Sequence, residues 1–99
     1  MIMKVIVKEP HHFPVRKEIE NDLRSFQQLV GGQIEHVNVS ETIGMLVNEE
    51  GKLNGLEKNF KFRGDTIVGT AVFVGYSEDD FTDCPVNEAA IRAIIALEE

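Results

Sequence analysis

The chain has one cysteine, one tyrosine and no tryptophan. A single thiol, Cys84, closes no internal disulfide. That sets aside the disulfide-stapled secreted domains and fits a reducing cytoplasm. One tyrosine and no tryptophan leave little for stacking bases. Cations are scarce too: ten Lys and Arg stand against seventeen Asp and Glu, for a net charge of −7. They are scattered from Lys4 to Arg92, so no basic cluster answers a phosphate backbone, and direct nucleic-acid binding is not expected. Long hydrophobic runs are missing as well. Ala71–Val74 and Ala93–Leu97 are far shorter than the roughly 20 residues that span a bilayer. The start MIMKVIVKEP lacks the basic-then-apolar layout of a signal peptide. A cytoplasmic location with no membrane role is the expectation.

Catalytic and cofactor motifs are also lacking. No G-x-S-x-G, P-loop or Rossmann fingerprint occurs, and no Cys-x-x-Cys or His-x-x-x-His pair suggests zinc. Gly64–Gly69 has glycines without the Lys-Ser/Thr that a phosphate loop needs. The chain is therefore read as no enzyme, with no catalytic residue, no cofactor and no metal.

What is present suits one small α+β domain over residues 1–99. Residues 3–9 alternate apolar and polar, and so do 15–19, around the proline-bearing EPHHFP. This predicts a β-hairpin over 2–19. Leu23, Phe26, Leu29 and Val30 share one face of a helix over 22–30, with Asn21 as its cap and Gly31-Gly32 as its stop. QIEHVNV (33–39) and TIGMLVN (42–48) read as strands, the first with a bulge near Glu35 or His36. GDTIVGTAVFVGY (64–76) reads as one central strand, with Gly69 at a bulge or a close backbone approach. SEDDFTD (77–83) reads as an acidic loop anchored by Phe81, and 85–97 as an apolar helix. The expected order is β-β-α-β-β-turn-β-α, a mostly antiparallel sheet of about five strands with two short helices.

Between the sheet strands lies NEEGKLNGLEKN, residues 48–59. Asn48-Glu49-Glu50-Gly51 has the layout of a type I turn with glycine at the following left-handed position. Lys52-Leu53 would then return as a short strand, and Asn54-Gly55 would make a second turn. A calcium loop fits poorly, because no distal carboxylate follows the glycine at the required spacing. Lys52, Asn54, Lys58 and Asn59 nevertheless offer donors on an irregular segment, so they are the candidate binding residues.

The chain resembles the small bacterial and phage domain-of-unknown-function family numbered 3846. The resemblance rests on the VxVKEP-like first strand, LVGGQIE (29–35), NEEGKLNGL (48–56), DTIVGTAVFVG (65–75) and DDFTD (79–83), in that order. The family pattern has proline and arginine where this chain has Glu57 and Phe60. The resemblance implies a phage or mobile-element accessory protein and assigns no activity and no functional residue.

Three further clusters admit a chemical and a plain reading. His11-His12 with His36 could hold a metal, yet adjacent histidines of an extended segment point opposite ways. Glu78, Asp79, Asp80 and Asp83 could hold a hard cation or be a solvated loop. Cys84 beside a helix start could be an activated thiol, or an inert or half-buried one. The expected function is binding of a host or phage protein. The alternatives are a nucleotide-like ligand at 48–59, or an acidic mimic of DNA. Self-association is expected through the 85–97 helix or strand 65–75.

Overall fold

The computed structural model describes residues 1–78 and 80–98. Its elements are β1 (Ile2–Lys8), β2 (Val15–Glu20), α1 (Leu23–Val30), β3 (Ile34–Asn38), β4 (Ile43–Asn48), β5 (Lys58–Phe62), β6 (Asp65–Val68), β7 (Ala71–Ser77), β8 (Asp80–Thr82) and α2 (Glu88–Glu98). The α+β class is as expected, and the sheet is antiparallel throughout. Five strands was too few. Six form the main sheet in the order β2-β1-β7-β4-β3, with β8 also on β7, and β5-β6 form a separate hairpin.

The sheet is covered on both faces, and this explains the sequence pattern. On one face Met3, Val5, Val7, Leu46, Val72 and Val74 pack against Phe26 and Val30 of α1. On the other, Ile6, Met45, Val47, Ala71 and Phe73 pack against Phe60 and Ile67 of the hairpin and Ile91 and Ile95 of α2. A strand with two covered faces has apolar residues at odd and even positions. Every residue of β4 is accordingly buried.

The same geometry removes the expected bulge in β3. Its register with β4 runs unbroken from Ile34↔Asn48 to Asn38↔Gly44. Ile34 packs with the α1 layer and Val37 with the other, so their odd spacing needs no extra residue.

The stretch 64–76 is not one strand. Gly69 has φ +72°, a left-handed turn that breaks it into β6 and β7. β6 pairs with β5 in the small hairpin, while β7 is the centre of the sheet between β1 and β4. High β-propensity on both sides of the glycine hid the break.

Helix boundaries shift slightly for capping reasons. Asp22, not Asn21, caps α1, its Oδ1 accepting from the Ser25 backbone N–H at 2.8 Å. Leu23, expected on the buried face, is mostly exposed. α2 begins at Glu88, later than expected, with the Asn87 side chain accepting from the Ala90 N–H at 2.9 Å. Where an acidic loop was expected, Asp80–Thr82 form β8 and pair antiparallel with Gly75–Ser77 of β7, and Phe81 anchors this strand edge-on against Phe26, with ring centres 5.6 Å apart.

Candidate functional site

The segment after β4 is a compact helical turn. Asn48 Oδ1 accepts from the Glu50 N–H at 2.8 Å, the side-chain turn expected of an asparagine there. The chain then coils instead of returning as a strand. The Asn54 N–H donates to the Glu50 carbonyl at 2.9 Å. The Gly55 N–H donates to the Lys52 carbonyl, and the Leu56 N–H to the Gly51 carbonyl. These last two bonds, with Gly55 left-handed at φ +68°, close the turn as they would close a helix. Gly55 therefore takes the left-handed role expected of Gly51. Gly51 instead lies close-packed, where an added Cβ would come within 2.9 Å of Val68.

The turn forms one side of a cleft of about 450 Å³. Val47, Asn48 and Ile67 are its buried floor, with half-buried Val37, Thr66 and Val68 beside them. Its exposed rim holds Glu35, Glu49, Glu50 and Asp65, with Lys52 and Leu53. Four carboxylates thus face one ammonium, and that ammonium pairs with Asp65. Leu53 is 81% exposed, an apolar side chain standing at the opening.

The β5–β6 hairpin makes the opposing side. Arg63 and Gly64, with φ +50° and +81°, form a two-residue turn whose twist suits a hairpin. The Arg63 guanidinium then reaches β3, Nη1 donating to the Asn38 carbonyl at 3.0 Å and Nη2 to the Val39 carbonyl at 2.6 Å. At the other end Asn59 Nδ2 donates to the carbonyls of Lys8 (2.7 Å) and Gly69 (2.8 Å), while its Oδ1 accepts from Lys8 Nζ. These fasteners tie the hairpin to the end of β3 through Arg63 and to the end of β1 through Asn59.

The four candidate residues are thereby separated. Lys52 sits on the cleft rim and Asn54 is exposed in the helical turn. Lys58 and Asn59 lie on β5, beside a shallower depression of about 240 Å³ that also includes Phe60, Lys61 and Thr66. The amide of Asn59 is committed inward. Sequence reasoning missed Glu35, Asp65 and Thr66, because β3 and β6 meet only when the hairpin folds back. The signal was Arg63-Gly64 between two alternating stretches.

The other clusters disperse. His11 pairs with Glu57 at 2.7 Å, His12 Nδ1 lies 2.8 Å from the Pro10 carbonyl oxygen, and His36 stands edge-on to Tyr76 and Phe81. Asp83 accepts from the Lys4 N–H at 2.8 Å, whereas Asp79 falls outside the described residues. Among the described residues no group of three His, Cys, Asp or Glu is placed to hold a metal. Burial pushes the Cys84 thiol up, the reverse of the activation a helix start would give. No helix among the described residues is long and apolar enough to cross a membrane.

No curated protein and no solved structure is significantly similar to this chain. A family model does match, over residues 3–95, and its description is Domain of unknown function (DUF3846). A match over nearly the whole length makes this chain a member of the DUF3846 family.

Proposed function

We propose that the chain is a non-enzymatic accessory module of a phage or mobile element, acting in the host cytoplasm by binding a host or phage protein. The supporting observation is the 450 Å³ cleft, which lies beside an outer strand and is lined by an exposed turn on a rigid sheet. Binding residues commonly sit on such turns, because a packed scaffold fixes their position. The test is native mass spectrometry of tagged protein purified gently from its natural host or an infected culture. A stoichiometric protein complex is expected, weakened by Leu53→Asp at the rim. Repeated recovery of the bare chain would sink the reading.

A second reading has its own observation. Lys58 and Lys61 are exposed around the 240 Å³ depression with Thr66, a locally basic place on an acidic protein. It suits a phosphate-bearing, nucleotide-like ligand, although its volume falls below the roughly 300 Å³ of ordinary small-molecule sites. A small-mass adduct lost in the Lys58→Ala/Lys61→Ala double variant would support it.

Self-association belongs to the same proposal. β7 is paired on both sides, so the candidate dimer surface is α2, where Ala89, Ala93, Ala96 and Leu97 are exposed. Light scattering should give a mass rising with concentration above 11.1 kDa and restored to it by Leu97→Asp.

A further inference from the structure

We infer that the outer edge of β3, together with the acidic cleft beside it, takes an extended lysine- or arginine-rich segment of a protein partner as an added strand. This rests on the binding-module reading and specifies the partner's chemistry.

The backbone phase of β3 carries the first step. The Glu49 N–H donates to the Gln33 carbonyl, and the Val39 N–H donates to the Ile43 carbonyl. In an antiparallel pair such bonded positions alternate along the strand. Odd-numbered residues of β3 therefore bond to β4, and Ile34, His36 and Asn38 turn their N–H and C=O groups outward. β3 is the last strand of the sheet on this side. Arg63 covers the outward carbonyl of Asn38. The outward groups of Ile34 and His36 remain, enough to pair two alternate residues of an incoming strand.

The two outer strands differ in how they are guarded. Edge strands usually resist pairing through lysine, proline or bulges. β2 carries Arg16 and Lys17. β3, IEHVN, carries neither lysine, arginine nor proline, and its register has no bulge.

Charge then chooses the occupant. The side chains of Glu35 and Val37 leave β3 on the cleft side. A strand added at this edge places every second side chain on that same side. There it meets Glu35, Glu49, Glu50 and Asp65, with the Lys52 charge already paired to Asp65. Basic side chains match this rim, and acidic or phosphate-bearing ones are repelled. Exposed Leu53 offers the stem of a lysine or arginine an apolar surface.

The probe is an octapeptide of alternating lysine and threonine, titrated into the intact protein and followed by calorimetry and amide hydrogen exchange. Saturable binding is expected, with slowed exchange at the amides of Ile34 and His36 and weakening as salt rises. Glu35→Lys/Glu50→Lys, both at exposed positions, should lower affinity by about tenfold, with an unchanged circular dichroism spectrum. Peptides N-methylated at all lysines, or at all threonines, keep the charge, and at least one of them should fail to bind. Equal binding by both methylated forms, or by a glutamate–threonine octapeptide, would overturn the inference. So would protection confined to β2. A natural partner captured in a complex that leaves the Ile34 and His36 amides unprotected would overturn the edge assignment alone and leave the binding-module reading standing. A complex of two copies of this chain with those amides protected would likewise replace the basic segment as occupant.

Discussion

Single side chains hold the parts of this molecule together, and Asn59 is the clearest case. Its amide bonds two main-chain carbonyls, that of Lys8 in β1 and that of Gly69 in the turn between β6 and β7, and accepts from Lys8. Asn59→Ala leaves those carbonyls without their donor and should cost about 2 kcal/mol, read as a lower urea midpoint. At Asp22 the bond from the Ser25 amide holds the carboxyl below its ordinary range. The unfolded chain then binds the proton more readily, so stability rises with pH through that window. The contribution is complete above the ordinary carboxylate pKa of about 4 and is lost as pH falls through the lower folded value. The difference in melting temperature between wild type and Asp22→Ala should therefore shrink on acidification from pH 7 toward the folded pKa. Cys84 shows the opposite direction. Half-buried, with its thiol pushed up, it should react with iodoacetamide more slowly at pH 8 in the native protein than in urea. Half-burial was one of the readings open for this thiol, but its neighbours were not legible, because the contact is long-range: the Cys84 N–H bonds the carbonyl of Lys4. The capping chemistry near residue 22 was legible to within one position, since Asn21 and Asp22 both carry the acceptor a cap needs.

Elements set the cleft, and here one residue decides the architecture. Gly69 sends the chain from the small hairpin into the main sheet. Gly69→Ala should destabilise the fold by about 2 kcal/mol in urea denaturation, chiefly through the left-handed φ. Its new Cβ would also fall 2.7 Å from Leu56 Cδ1, a side-chain tip that can move aside. The run DTIVGTAVFVG advertised strand so strongly that the turn inside it read as a local irregularity. Hydrophobic patterning located every main-sheet strand but β8, because alternation and burial are local properties. It did not reveal that the chain leaves the sheet between residues 48 and 71, since a strand's partner is not written in its own period. The candidate site suffered most from this. Lys52 lies on the cleft, but Glu35 and Asp65 come from elements whose meeting depends on that departure.

At the scale of the whole molecule, the sheet is two hairpins joined late. β1–β2 and β3–β4 are each nearest neighbours in sequence, yet β7 alone bridges β1 to β4. A chain ending at Thr70 should therefore show no cooperative unfolding transition by circular dichroism, even with four of the main strands present. Such distant pairings fold slowly, on the order of milliseconds to seconds. Synthesis adds its own delay. A ribosome moving at roughly 5–20 residues per second makes Asn48 well over a second before Ser77. Throughout that interval the nascent protein carries two unjoined hairpins, each with an inner apolar edge awaiting a strand not yet made. Charge gives those edges little cover in the meantime, because residues 1–77 set nine Lys and Arg against ten Asp and Glu, and the repulsion that would keep neighbouring nascent chains apart arrives only with the acidic residues 78–99.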